Sequence, residues 1–205
     1  MTGSKSDLRE EFKRRRREIP EAAYAEMNAE IIRRLLADPA VAHAKTIFSY
    51  IAFGREADTR PALKQLLEAG RRVVAPPEDR VLDPLRCFRF LVPGAPLLKP
   101  GGRQAGVTPD TCDLLDLNDV DLFIVPGIVW DPSGYRIGFG GGYFDRLLER
   151  AREGVPRIGL AFELQMTGEV PRDRWDQPVD TILTELREID ARAVRYGGAT
   201  GRKRL

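Results

Sequence analysis

The chain has 205 residues, 42% of them hydrophobic and 31% charged, with a formal net charge of +2. That size and balance suit one globular domain over residues 1–205 whose core needs no staples, and exclude a disordered or fibrous chain. No apolar run is long enough to span a bilayer and no N-terminal segment has the signal-peptide pattern, so no membrane association and a cytoplasmic location are expected.

Charge is spread unevenly. Lys13 to Arg17 is a run of five cations, and the chain ends Arg202-Lys203-Arg204. Such ends admit a nucleic-acid-binding reading, but the body is near neutral and carries no nucleic-acid motif, so a solvated helix face and a basic tail over 193–205 are expected instead. Cys87 and Cys112 belong to no CxxC or Cys/His cluster and read as reduced thiols. The single histidine, His43, has no partner set for zinc or nucleophile chemistry and reads as structural.

Residues Ser6 to Glu18 have helical spacing, with Leu8, Phe12 and Ile19 as a thin apolar stripe. Ser6 is not followed by a capping-box acid, although Asp7 and Glu10 suit a helix start. Pro20 opens a second helix over Glu21 to Ala37, which Asp38-Pro39 ends. Thr46 to Ala52 (TIFSYIA) is rich in β-branched and aromatic residues and reads as a strand. Asp58 or Thr59 then caps a helix that runs to Ala69 and stops at Gly70, and Arg72 to Ala75 forms a strand before Pro76-Pro77. This β–α–β unit implies a parallel pair with a right-handed crossover.

Arg86 to Val92 alternates as a half-exposed strand, and Pro93 to Asp110 reads as a long ordered loop. Val120 to Val125 (VDLFIV) is a buried strand closed by Pro126-Gly127. Arg157 to Phe162 is another, followed by a turn at Glu163 to Met166, a loop over Pro171 to Asp180, and a last strand at Thr181 to Thr184. The alternation predicts an α/β fold: a three-layer α/β/α sandwich with a mainly parallel sheet.

Between the last two buried strands lies Gly134 to Asp145 (GYRIGFGGGYFD), followed by helical Tyr143 to Arg150. Strand, glycine-rich loop and helix together shape a backbone for an anion at a helix N-terminus, although close packing of the loop is the rival explanation. The loop has neither the order of a P-loop nor its lysine. Ligands of open α/β sheets lie beyond the carboxyl ends of the strands, which gathers Glu56, Asp58, Arg136, the glycines and Tyr143 as candidates. Asp145 in the first helical turn suits either Mg²⁺ bridging phosphates or the helix dipole. Asp176 and Asp180 (WDQPVD) are further acidic candidates, and Glu56 beside Arg55 and Asp58 suits either a ligand or a surface ion pair.

These pieces, taken in order, resemble the 5-formyltetrahydrofolate cyclo-ligase family. The resemblance rests on KSDLR before a basic helix, READTRP after the first strand, VPGIVWDPSGYRIGFGGGYFDRLL, GLAFELQ, and WDQPVDTILTE. It implies a three-layer sandwich that uses ATP and Mg²⁺ to cyclise 5-formyltetrahydrofolate to the 5,10-methenyl form. It also implies small-molecule partners only, a monomer, and no nucleic acid. By matched position, Lys5, Ser6, Asp7, Leu8 and Arg9 would contact ATP, as would Arg136, Ile137, Gly138, Phe139, Gly140, Gly141, Gly142, Tyr143 and Phe144. Ile51, Glu56, Phe139, Gly140, Gly141, Gly142 and Tyr143 would meet the folate, Arg136 and Tyr143 would act in catalysis, and Asp145 and Asp176 would hold Mg²⁺.

The chain departs from the family pattern at Phe139, where many relatives read GRGGGY, and at Trp175, where many have histidine or another polar residue. Thr108-Pro109-Asp110 replaces a frequent acidic-proline sequence. These departures keep open a relative that only binds nucleotide or folate, or that acts on another formylated substrate.

Overall fold

In the computed structural model, residues 3–76, 88–95, 97 and 115–197 are described. The expected long loop, both cysteines and Thr108-Pro109-Asp110 fall mostly or wholly outside them, as does the end of the basic tail.

The helices α1 (Lys5–Arg17), α2 (Glu21–Ala37) and α3 (Pro39–His43) precede β1 (Thr46–Ser49), α4 (Arg60–Glu68), β2 (Arg72–Ala75) and β3 (Arg89–Phe90). Then come β4 (Leu122–Val125), β5 (Val129–Trp130), β6 (Arg136–Ile137), α5 (Tyr143–Arg150), β7 (Arg157–Leu160), β8 (Thr181–Leu183), β9 (Glu188–Asp190) and α6 (Ala191–Arg195). The main sheet has seven strands in the order β3-β2-β1-β4-β7-β8-β9. Its inner strands run parallel and both edge strands run antiparallel.

Side chains alternate across the sheet, as the pleat requires. Ile47, Val73, Leu122 and Ile124 face one apolar core with α2 and α4. Phe48, Val74, Phe123 and Val125 face a second, with Leu147 and Leu148 of α5 and Ala191 of α6. A sheet covered on both faces explains why its strands read as unbroken apolar runs. The expected three-layer α/β/α sandwich is the architecture found.

Several boundaries differ from expectation for local reasons. Helix α1 starts at Lys5 because the capping box is Ser4 with Asp7: Ser4 Oγ accepts from Asp7 N–H, and Asp7 Oδ2 from Ser4 N–H, each at 3.2 Å. Strand β1 stops at Ser49, since the Tyr50 carbonyl accepts from the Ser49 and Thr59 hydroxyls, both at 2.9 Å. Strand β9 escaped the sequence reading because three residues are too few to show a period. The first residues of the expected tail are held rather than free: Ala191–Arg195 is helical, and Arg195 Nη1 donates to the Ser133 carbonyl at 2.7 Å.

The segment between β4 and α5 is not a simple loop. It contains a hairpin, β5 with β6, closed around Asp131. This fully buried carboxylate accepts from Ser133 N–H and Oγ at 2.9 Å, Tyr135 N–H at 3.2 Å and Arg172 Nη2 at 3.1 Å. The Gln165 amide of GLAFELQ pins the start of this segment, donating to the Gly127 and Ile128 carbonyls at 2.9 Å. The Trp130 indole is fully buried between two glycines. A methyl group added at Gly127 or Gly159 would lie 2.5 Å from its ring. Gly159→Ala is therefore expected to destabilise the protein by about 1–3 kcal/mol through overpacking, read as a lower urea midpoint with an unchanged slope.

Candidate functional site

The sheet order reverses direction between β1 and β4, and the loops leaving their carboxyl ends diverge there. A cleft of about 360 Å³ opens at this point. Its walls come from the loops after β1, β2 and β4, from β6 and the glycine loop, from one face of α1, and from the loop before β8.

Helix α1 divides its residues between two faces. Leu8 and Phe12 are buried against Ile128, Val129 and Ile137, each such burial contributing about 1.5–3 kcal/mol. Lys5 and Arg9 line the cleft, four residues apart on the neighbouring face. Ser6 and Asp7 are exposed and Leu8 is in the core, so of the expected KSDLR contacts only Lys5 and Arg9 reach the cleft. The Arg9 Nε donates to the Gly138 carbonyl at 2.8 Å, tying α1 to the glycine loop. The Lys5 ammonium lies 2.7 Å from Asp173 Oδ2 and 2.6 Å from Asp176 Oδ2. Burial lowers its pKa, but these hydrogen bonds and charges outweigh it and hold it above the ordinary lysine value.

Every glycine-loop candidate from Arg136 to Phe144 lines the cleft. Gly140 has φ +102°, and Gly142, which precedes α5, has φ +60°, so both occupy backbone regions that side chains disfavour. Gly138 and Gly141 differ. Among the described residues, no atom lies within 4 Å of where a Cβ would stand at either position. The protein's own packing therefore does not demand glycine there, which disfavours the packing explanation for the loop. Helix α5 starts with no side-chain cap, leaving its first N–H groups to the cleft. The Tyr143 hydroxyl is buried at the same end with no hydrogen-bond partner among the described residues, and burial pushes its pKa well above the usual tyrosine value. A buried orphan hydroxyl fits an incoming acceptor.

Arg136 is buried, and burial pulls its guanidinium below the ordinary arginine value against the opposing charge of Asp145. Its Nη1 donates to the Gln177 carbonyl at 2.6 Å, and its Nη2 lies 3.1 Å from Asp145 Oδ1. Asp145 Oδ1 also accepts from Gln177 N–H at 3.1 Å, and Asp176 Oδ2 from Asp173 N–H at 2.8 Å. Asp145 Oδ2 and Asp176 Oδ1 have no hydrogen-bond partner among the described residues. Among the described residues, no group of three or more His, Cys, Asp or Glu gathers there as a ready cation cage. Two partly committed carboxylates with free oxygens nevertheless suit Mg²⁺ that takes its remaining ligands from phosphates and water.

On the opposite wall, Ile51 and Glu56 line the cleft as expected. Glu56 is only 3% exposed, so the surface-ion-pair alternative does not hold. Asp58 instead pairs with Arg60 at 2.7 Å, and Asp180 accepts from Arg157 N–H at 3.0 Å; neither lines the cleft. Burial raises the Glu56 carboxyl to about 7, opposed by the Phe53 N–H at 3.0 Å and by the charge of Arg16.

Arg16 corrects the sequence reading of the cationic run, because it is 5% exposed rather than solvated. Its Nη1 has no hydrogen-bond partner among the described residues, and burial lowers its pKa against the charges of Glu56, Tyr50 and Tyr24. Asp173, Tyr50, Phe53 and Pro76 also reach the cleft without having been singled out. Asp173 alone carried a signal, its proximity to Asp176. His43 is exposed on α3 and takes no part.

A carboxyl that folding raises from 4.5 to about 7 binds more protons in the native than in the unfolded state between those values. Native stability contributed by this group is present below pH 4.5 and is lost as pH rises through 7, by up to about 3 kcal/mol. Glu56→Gln is expected to remove that slope, so urea midpoints of the variant gain on wild type between pH 5 and pH 8. A constant gap across this range would count against a raised Glu56.

Comparison with known proteins bears on the chain as a whole. The family model described as the 5-formyltetrahydrofolate cyclo-ligase family matches residues 1–185. The 5-formyltetrahydrofolate cyclo-ligase of Escherichia coli (strain K12) is 30% identical over 178 residues, covering 84% of this chain and 96% of that protein. That of Mycolicibacterium smegmatis is 29% identical over 192 residues, covering 92% and 97%. The NMR structure of Aquifex aeolicus 5,10-methenyltetrahydrofolate synthetase superposes with a TM-score of 0.75 at 28% identity, covering 98% of this chain and 96% of that one. With a family match spanning the hairpin, the glycine loop and both flanking strands, the chain belongs to the 5-formyltetrahydrofolate cyclo-ligase family.

Proposed function

We propose that this protein uses ATP to convert 5-formyltetrahydrofolate to 5,10-methenyltetrahydrofolate, releasing ADP and phosphate. The observation that carries the reading is the cleft itself, with an anion cradle at Gly138 and Gly141 facing a pocket at Ile51 and Glu56. Family membership supports the reaction, and the cleft supports its two substrates meeting at one place.

The chemistry needs positioning more than acid–base equipment. The formyl oxygen attacks the γ-phosphorus, the bond to ADP breaks, and an imidate-like phosphate results. The position-10 nitrogen then attacks the formyl carbon, a carbon–nitrogen bond forms, and the carbon–oxygen bond breaks with phosphate leaving. The proton from that nitrogen passes to the leaving phosphate, itself a base. Arg136 and the N–H groups of the glycine loop neutralise the transferring phosphoryl group. The Tyr143 hydroxyl donates to a phosphate or formyl oxygen, and Glu56 accepts from the amide and amine groups of the pterin-type ring. Lys5 and Arg9 stand where the remaining phosphates of ATP would run, with Arg9 exchanging the Gly138 carbonyl for an anion. Asp145 Oδ2 and Asp176 Oδ1 would hold Mg²⁺, which when bound screens phosphate charge.

Two measurements test this. Purified protein given ATP, Mg²⁺ and 5-formyltetrahydrofolate is expected to build methenyl-folate absorbance strictly with ATP; ATP binding with no product would favour the binding-only relative. Gly141→Val adds its side chain to open space and is expected to hold stability within about 0.5 kcal/mol of wild type. The same variant is expected to weaken ATP at least about tenfold, since losing close backbone approach to phosphate forfeits charge-assisted hydrogen bonds. Normal calorimetric ATP affinity in Gly141→Val would move the triphosphate elsewhere.

A further inference from the structure

Six large apolar side chains are exposed among the described residues, and three of them, Phe53, Phe139 and Trp175, line this cleft. Phe53 and Phe139 form a pair, with ring centroids 4.8 Å apart and planes inclined by 36°. Each ring is nevertheless 41% and 43% exposed, respectively. Phe53 belongs to the loop that carries Ile51 and Glu56, and Phe139 to the anion cradle, so the pair bridges the two halves of the site. Phe139 is also held from the side of α1. The Lys13 ammonium lies 5.6 Å from its ring centroid, and Arg9 fixes the preceding carbonyl at 2.8 Å. Two half-exposed rings kept in a set orientation leave apolar surface for a third ring to cover.

We propose that Phe53 and Phe139 are substrate-specificity residues that stack on the benzoyl ring borne by the position-10 nitrogen of the formyl-folate. This rests on the cyclo-ligase reading, in which Phe139 already meets the folate, and deepens it by adding Phe53 and by naming the ring that the pair recognises. Ring closure brings the position-10 nitrogen onto the formyl carbon while the formyl oxygen engages the γ-phosphate. The benzoyl ring is bonded directly to that nitrogen, so it must stand beside the cradle. The adenine of ATP is separated from the γ-phosphate by two further phosphates and a ribose. Of the two rings beside the reacting centre, the pterin carries the formyl group and turns its polar edge to Glu56, which leaves the benzoyl ring, one bond from the position-10 nitrogen, for the aromatic pair. Phenylalanine at position 139 exchanges phosphate-directed charge for contact with the second substrate.

The test is steady-state kinetics on wild type, Phe53→Ala, Phe139→Ala and Phe139→Tyr, with KM determined separately for ATP and 5-formyltetrahydrofolate. Calorimetric binding of 5-formyltetrahydrofolate without ATP accompanies it. Each alanine variant is expected to raise KM for the folate, and weaken its calorimetric binding, about five- to tenfold. The loss is carried in that KM rather than in kcat or in KM for ATP, and Phe139→Tyr restores it. A rise confined to KM for ATP would assign the rings to adenine and overturn the proposal, as would no change in either KM. Wild-type protein without turnover would instead remove the cyclo-ligase reading on which the proposal rests.

Discussion

Leaving a buried guanidinium uncompensated costs several kcal/mol, so burial creates a strong demand for partners. Arg136 meets that demand by taking Asp145 from α5 and the Gln177 carbonyl from the loop before β8. Three segments distant in sequence are thereby locked around one group. The Asp131 turn places β6, and β6 places Arg136; Arg136 in turn sets where α5 begins and where the loop with Trp175 and Asp176 runs. Lys5 adds a second tie from α1 to that same loop. The cleft is what remains between segments so held.

The same pairs give the cleft its electrostatic character. Lys5 and Arg136 are paired internally with carboxylates, and the Arg9 Nε with a main-chain carbonyl. An anionic ligand therefore exchanges partners with these groups rather than neutralising bare charges, and it meets little reorganisation of backbone. The opposite wall is built differently. Glu56, Arg16 and Tyr50 are buried there among apolar side chains, so a hydrogen bond offered to a ligand on this wall is made away from water, where it discriminates most. Phe53 and Phe139 meet between the glycine-loop wall and the Glu56 wall.

Much of this was legible in the residues. Short, nearly continuous apolar runs at TIFS, RVVA, LFIV and RIGL marked buried strands, and Gly70 and Pro20 marked helix boundaries for stereochemical reasons. The glycine loop, Glu56, Asp145 and Asp176 stood out by type and position as candidates, while loop packing, an ion pair and the helix dipole remained as rival readings until the family resemblance was weighed. Features set by tertiary contact did not. The β5–β6 hairpin is too short to show a period and owes its turn to a carboxylate bonded to residues as distant as Arg172. Arg16 lies within a cationic run whose other members look identical in sequence, and only packing separates it from them. Leu8 within KSDLR fell to the core because a helix cannot present consecutive residues to one cleft. Phe53 gained meaning only once Phe139 was found against it.

In the proposed reaction the formyl oxygen is phosphorylated in this cleft and leaves as phosphate. Turning over 5-formyltetrahydrofolate carrying ¹⁸O in its formyl group with unlabelled ATP, then locating the label by mass spectrometry, follows that oxygen. The expected result is ¹⁸O in the released inorganic phosphate, accompanying methenyl-folate. Label appearing in water, or methenyl-folate formed while phosphate stays unlabelled, would contradict it.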